Sequence, residues 1–210
     1  MDTLLMCMSN MFFDEGWMPE GVPCLDLRHI EGTTAYCSPE AKEQILSAIA
    51  PYPVHAVHLI DNGDYHYITA LWMSRLEEET DLLLFDNHPD DQAPAFGADL
   101  LSCGGWVANV KKDNPMFRKN ADSVYISIDL DCLSPSYART NWDQGDATLD
   151  DLLAGIMKKT AGRRIAGVDI CGGITALQGG SAEDYATNRK TREKLLDCFR
   201  AVWQETHNAF

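Results

Sequence analysis

The sequence is poor in positive charge and contains no long apolar run. Its 17 lysines and arginines stand against 32 aspartates and glutamates, which gives a formal net charge of −15. Nucleic acid and anionic membrane surfaces would repel such a chain, so we expect neither as a partner. No apolar run reaches the roughly 18–20 residues that a membrane-spanning helix needs. The charge instead favours a small-molecule substrate, and a cationic one in particular.

The cysteines lack the pairing that a disulfide framework or a zinc finger requires. There are seven, an odd number, and no two are spaced as C-x-x-C. The start of the chain also lacks the basic residues of a secretory signal and has Asp2 in their place. We therefore expect a cytoplasmic protein whose thiols are reduced.

No internal repeat, low-complexity stretch or linker-like segment divides the chain. Its 210 residues suffice for one sizeable core, and 45% hydrophobic and 23% charged residues are typical of a globular protein. A single α/β domain over residues 1–210 is predicted.

Short apolar runs alternate with helical stretches. The runs suit strands that are covered on both faces of a parallel sheet, and they fall at residues 3–9, 23–28, 54–60, 81–86, 123–129 and 165–170. Helices are predicted near residues 39–50, 66–79, 148–160 and 181–205, and a loop at 16–21. Ser38, Thr148 and Ser181 have the spacing of helix caps. This alternation predicts a three-layer α/β/α fold with a mainly parallel sheet.

Histidines and aspartates follow three of the predicted strands. The carboxyl ends of parallel strands meet at one edge of a sheet, and ligands bind there. In an extended segment, residues two apart project to the same side. We therefore expect six side chains to converge at this edge: His66, Asp86, His88, Asp90, Asp129 and Asp131.

This set of side chains is suited to divalent metal ions. Four aspartates packed together would raise one another's pKa steeply unless cations compensate, and two divalent ions would neutralise them. Carboxylates and imidazoles without thiolates suit manganese better than zinc or copper. Each signal alone has a structural alternative: a capping or core histidine at position 66, a polar loop at 86–90, and turn-capping aspartates at 129 and 131. Their joint occurrence favours two metal ions.

The same residues resemble the metal motifs of the arginase–agmatinase (ureohydrolase) family. Those motifs read Gly-Gly-Asp-His, Asp-Ala-His-x-Asp and Ser-x-Asp-x-Asp, and segments 63–66, 86–90 and 127–131 match them in that order. The match covers about residues 57–171. The resemblance implies a compact arginase-like α/β/α fold, a dinuclear manganese centre and, because family members are often trimers or hexamers, a homo-oligomer.

The resemblance also implies a role for each ligand. Asp86 and Asp129 would bridge the two ions. His66 and Asp90 would complete one ion, and His88 and Asp131 the other. A hydroxide held between the ions would attack the planar carbon of a guanidinium or amide.

The sequence departs from the family where substrate is recognised. The family's proton-relaying histidine has no counterpart in the matching stretch, 101–105, and its guanidinium-binding glutamate corresponds to Gly172. Loss of that glutamate predicts weak or absent arginase activity. Cys103 and Asp169 are further candidates for contact with the ligands or the substrate, although a buried thiol and a turn cap are equally typical.

Three functions are compatible with these observations. The leading prediction is a manganese-dependent hydrolase of a linear carbon–nitrogen bond in a guanidino, amidino or related amide compound. The second is a binding or regulatory protein that has kept the metal ions and lost catalysis. The third is a zinc deacylase similar to the histone deacetylases, which typically have two adjacent histidines; this sequence has none.

Overall fold

A six-stranded sheet forms the centre of the part of the chain that the computed structural model describes, residues 2–93 and 100–208. Along the chain the strands are β1 (Thr3–Cys7), β2 (Cys24–Asp26), β3 (Tyr36–Cys37), β4 (Val57–Leu59), β5 (Thr80–Phe85), β6 (Leu101–Ser102), β7 (Ser123–Asp129) and β8 (Arg164–Cys171). The sheet has the order β2-β1-β4-β8-β7-β5, and all its neighbours pair in parallel. β3 and β6 form a separate antiparallel pair. Because the main sheet is parallel, the carboxyl ends of its strands share one edge.

Helices cover both faces of this sheet. In chain order they are α1 (Met11–Asp14), α2 (Pro39–Ile49), α3 (Ile68–Met73), α4 (Trp106–Asp113), α5 (Leu149–Thr160) and α6 (Ala182–Asn208). One apolar cluster joins α1, α5 and α6 to the sheet, and the second joins α2, α3 and α4 to the opposite face. The alternation of side chains along β7 explains the division, since Ile126 and Ile128 belong to the first cluster and Tyr125 to the second. The predicted three-layer α/β/α fold is confirmed.

The predicted helix starts are confirmed by their caps. The Ser38 hydroxyl accepts a hydrogen bond from the Ala41 amide, and Thr148 forms a capping box with Asp151. The Ser181 hydroxyl likewise accepts from the Asp184 amide at 3.3 Å. These bonds satisfy amide groups that have no partner within the first turn of a helix.

Several element boundaries differ from the prediction. The expected helix over 66–79 is reduced to α3, because residues 63–65 form a 3-10 turn and Ser74 ends the helix. The strands predicted at 3–9, 23–28 and 54–60 are each shorter in the structure. Four elements were not predicted: the helices α1 and α4 and the two-residue strands β3 and β6. These elements are too short for a clear hydrophobic period.

Within residues 2–93 and 100–208, no helix is both long and apolar enough to span a membrane.

Candidate metal centre

The six predicted side chains come from the turns that follow β4, β5 and β7. After β4, Asn62 caps the 3-10 turn by accepting from the Asp64 amide, and His66 lies at the end of that turn. After β5, the Asp86 carboxylate accepts from the His88 amide at 2.6 Å. After β7, the Asp129 carboxylate accepts from the Asp131 amide at 2.9 Å. Each turn is therefore held by an Asn or Asp side chain bonded to an amide two residues ahead, which fixes the ligand that follows.

These turns, rather than extended strands, bring the aspartates together. β5 ends at Phe85, four residues before Pro89, and Asp90 adopts a left-handed conformation with φ of +44°. Asp131 lies in a 3-10 turn after the end of β7. The expectation that these residues share one side of an extended segment was therefore wrong, although they do meet. Aspartate tolerates left-handed backbone better than most residues.

The first group of side chains surrounds His66. Its Nδ1 atom lies 3.2 Å from Asp86 Oδ2, 3.1 Å from Asp90 Oδ2 and 3.6 Å from Asp129 Oδ2. His66, Asp86 and Asp129 each offer a ligand atom within 4.8 Å of the others. All four side chains are more than nine-tenths buried. One imidazole nitrogen facing three buried carboxylates is a suitable donor set for a cation.

The second group shares Asp86 with the first. His88 Nδ1 lies 2.9 Å from Asp131 Oδ2 and 3.6 Å from Asp86 Oδ1. One ligand atom from each of Asp86, His88 and Asp131 likewise lies within 4.8 Å of the other two. The other oxygen of Asp86, Oδ2, is buried and accepts no hydrogen bond, although His66 Nδ1 lies 3.2 Å from it. Burial of a carboxylate oxygen that accepts no hydrogen bond costs free energy, and a cation at this position would offset that cost.

The proton affinities of these side chains reflect crowding of like charges. Burial, together with the charges of Asp129 and Asp86, raises the pKa of Asp131 to about 9. Burial also raises the pKa of Asp129 to about 6. Burial alone would lower the pKa of His66, but Asp86 and Asp90 hold it well above its usual value. Burial likewise raises the pKa of Asp90, whereas the hydrogen bond and charge of His66 outweigh burial at Asp86 and lower its pKa. Asp90, Asp129 and Asp131 thus tend to take up positive charge, as protons or as metal ions.

Two residues that were not among the predicted ligands contact side chains of the first group. The hydroxyl of Ser127 lies 2.8 Å from His66 Nε2, and the indole of Trp106 donates to Asp90 Oδ2 at 2.7 Å. Ser127 could have been found, because it precedes Asp129 by two residues on the same face of β7. No pattern in the sequence points to Trp106, which belongs to the unpredicted helix α4.

A cavity of about 170 Å³ opens onto both groups, and it is lined by Tyr36, Cys103 and Trp142 as well as by the ligand side chains. Burial raises the pKa of Cys103 to about 11, so its thiol is protonated at neutral pH. Cys103 thus lies in the same cavity as the candidate ligands.

Asp64 holds one wall of this cavity. Its Oδ1 atom accepts from Asn141 Nδ2 at 3.0 Å and from Trp142 Nε1 at 3.1 Å. A Cβ atom at Gly63 would lie 2.6 Å from the Trp142 ring. Glycine at this position therefore lets the indole pack directly against the turn that presents His66.

Asp169, the other candidate from the sequence, does not line the cavity. Its Oδ1 atom lies 2.8 Å from His58 Nδ1 and accepts from the Tyr125 hydroxyl at 2.8 Å. The three side chains are fully buried, and His58 stacks on Trp72. Asp169 is two residues before the end of β8, so it lies below the edge of the sheet. Its contacts are with core side chains.

Comparison of the sequence with known proteins does not identify a family. No protein-family model matches the chain. A protein of Thermotoga maritima described as uncharacterized is 26% identical over 174 residues, which cover 69% of this chain and 68% of that protein.

Solved structures match over nearly the whole chain. Formimidoylglutamase from Bacillus subtilis has a TM-score of 0.66 at 12% identity and covers 95% of this chain and 87% of its own. Arginase from Medicago truncatula has a TM-score of 0.60 at 15% identity, with 89% and 82% covered. A hypothetical agmatinase from Burkholderia thailandensis has a TM-score of 0.60 at 14% identity, with 97% and 87% covered. The chain therefore has an arginase-like fold.

Proposed function

We propose that this chain is a manganese-dependent hydrolase of a linear carbon–nitrogen bond in a small guanidino, amidino or related amide compound. The observation that carries the proposal is the meeting of two histidines and four aspartates around two donor groups that share Asp86. An oxygen of that shared aspartate is buried without a hydrogen-bond partner. The arginase-like fold, with solved relatives described as arginases, agmatinases and formimidoylglutamase, supports the same reaction class.

The donor set fits two divalent ions. Asp86 and Asp129 would be shared, with His66 and Asp90 on one ion and His88 and Asp131 on the other. Oxygen and imidazole donors without thiolate suit manganese. Such ions supply an activated water at neutral pH and stabilise negative charge that develops on the substrate. The protein would hold them with carboxylates that are already buried and close to one another.

The cavity limits what can react. Its volume of about 170 Å³ suits a small planar group, and Trp142 and Tyr36 border it with aromatic rings. Aromatic walls restrict the access of bulk water and orient a flat group by contact with its face. We therefore propose a small-molecule substrate and not a polymer.

A second candidate, a protein that keeps the ions and has lost catalysis, is favoured by one observation. Gly172 stands where the family resemblance puts a guanidinium-binding glutamate, and a Cβ atom there would lie 2.6 Å from Asp129 Oδ1. A glutamate at this position would displace a candidate ligand. We therefore expect weak or absent turnover of arginine, whichever candidate is correct.

The first test is metal content. Full-length protein purified with manganese should hold two ions per chain, and Asp129→Ala should reduce this to one or none. Asp91→Ala, which removes an exposed carboxylate beside Asp90, is the matched control and should retain both ions. A wild-type chain that holds no manganese would rule out both candidates.

Turnover then separates the two candidates. The loaded enzyme is tested on a panel of guanidino, amidino, formimino and acyl-amine compounds. Hydrolysis that disappears in Asp129→Ala and persists in Asp91→Ala supports the hydrolase. Two bound ions without turnover of any compound in the panel support the binding protein.

A further inference from the structure

The two imidazoles of the candidate metal centre have different partners on their outer nitrogen atoms. Nδ1 of His88 faces Asp131 and Asp86, whereas its Nε2 lies 3.2 Å from Asp143 Oδ1. Asp143 belongs to none of the motifs that point to the metal centre. We propose that Asp143 is a positioning residue, whose carboxylate fixes the His88 ring with Nδ1 toward the ion. This inference rests on the proposed metal centre.

The loop that contains Asp143 is held close to the site by its backbone. The Asp143 carbonyl accepts from Asn87 Nδ2 at 3.0 Å, and the Gly145 amide donates to the Asp131 carbonyl at 2.7 Å. A Cβ atom at Gly145 would lie 2.7 Å from the Cys132 carbonyl oxygen, so the close approach requires glycine. The side chain of Asp143 is 83% exposed, but the backbone from which it projects is held by these hydrogen bonds.

Hydrogen bonding decides which nitrogen of His88 can bind an ion. When Asp143 accepts a hydrogen bond from Nε2, the hydrogen of a neutral His88 ring stays on that nitrogen. The lone pair is then on Nδ1, which faces Asp131 and Asp86, where the ion would replace a proton. Such an outer carboxylate orients a metal-binding histidine and increases its basicity. His66 has the neutral Ser127 hydroxyl in the equivalent place. The two ions would therefore depend on different outer groups.

The experiment is a calorimetric titration of metal-free, full-length protein with Mn²⁺. Asp143→Ala should weaken the binding of one of the two ions by about 10–100-fold and leave the affinity for the other unchanged. Asp143→Asn keeps an acceptor without the charge and should show a smaller loss, and Asp143→Glu should recover part of the affinity. Asp146→Ala removes another exposed carboxylate from the same segment and should titrate like wild type.

The thermal midpoints of the metal-free proteins show whether the substitution acts through folding. Equal midpoints for Asp143→Ala and wild type, together with loss of one ion, support positioning. Unchanged affinity for both ions in Asp143→Ala would overturn the inference and leave the metal centre intact. Equal weakening of both ions with a lowered midpoint would also overturn it. A wild type without manganese would remove its basis together with the proposed function.

Discussion

Gly172 shows how a residue without a side chain controls a candidate ligand. Its φ of +102° disfavours any L-residue, and a Cβ atom would approach Asp129 Oδ1 and the Leu130 amide. Gly179 has a nearly equal φ, +97°, but open space around it. Gly179→Ala should lose only about 1–3 kcal/mol of stability, from backbone strain alone. Gly172→Ala should lose more, because its methyl group also meets neighbouring atoms. Urea denaturation of the metal-free proteins measures this difference.

The same pair of variants tests the link to metal. Gly172→Ala should lower the manganese content because it displaces Asp129, whereas Gly179→Ala should keep two ions per chain. Equal manganese content in the two variants would show that Asp129 adjusts to the added methyl group.

At the residue scale, the sequence predicted the side chains that converge at the candidate metal centre but not the residues that contact them. His and Asp residues in motifs can be recognised because their chemistry is rare in combination. Asp143 and Trp106 come close to His88 and Asp90 only through the fold of the chain. The loop and the helix that contain them have no sequence motif that indicates these contacts. Asp169 illustrates the converse error, since its place near a strand end indicated the site and its side chain turned into the core.

At the scale of elements, a buried ion pair joins α1, α6 and the end of β8. Arg192 Nη1 donates to Glu15 Oε2 at 2.6 Å, and its Nη2 donates to the Gly172 carbonyl at 2.6 Å. Both side chains of the pair are fully buried. Arg192 also lies over the Phe12 ring. This contact fixes the backbone at Gly172, the glycine that borders Asp129.

Removal of one partner should be costly. Arg192→Met leaves the charge of Glu15 buried without compensation, which typically costs about 3–5 kcal/mol. The double variant Glu15→Leu/Arg192→Met should lose less than the sum of the two single changes, as urea denaturation would measure. Arg118→Met, which breaks an exposed pair with Glu79, is the control and should change stability little. Additive losses in the double variant would contradict the coupling.

Element existence was easier to predict than element boundaries. The long apolar runs of β5, β7 and β8 appear in the structure nearly as expected, because burial on both faces demands a continuous run. α1 has four residues, too few for a helical period, and its ion pair with α6 spans 177 positions in sequence. Such long-range contacts decide where short elements begin and end, and local sequence does not contain them.

At the scale of the whole molecule, a strongly acidic chain brings several buried carboxylates together at one edge of its sheet. The chain has a net charge of −15, and four of its aspartates meet at one edge of the sheet. The parallel order of the strands, which the sequence predicted, brings their ends to the same edge, and the turns that follow bring the aspartates into contact. A metal-free chain must therefore hold buried carboxylates close together, and its stability should depend on whether they carry protons.

The direction of that dependence follows from the pKa values. The pKa of Asp131 is about 9 in the folded chain, against 3.8 as its ordinary value, so folding takes up a proton between these limits. Stability of the metal-free protein should consequently fall as pH rises toward 9. The raised pKa of His66 acts in the same direction, because the stabilisation that its proton provides is lost at higher pH.

Thermal unfolding in EDTA and in excess manganese tests this at pH 6 and pH 9. In EDTA the midpoint should be lower at pH 9 by several degrees, since about 1 kcal/mol corresponds to about 2–4 °C for a chain of this size. Manganese should reduce or reverse the difference, because the ions replace the protons. Asp131→Asn should flatten the EDTA curve, whereas Asp91→Asn should not. A midpoint in EDTA that rises between pH 6 and 9 would mean that the carboxylates are not crowded in solution.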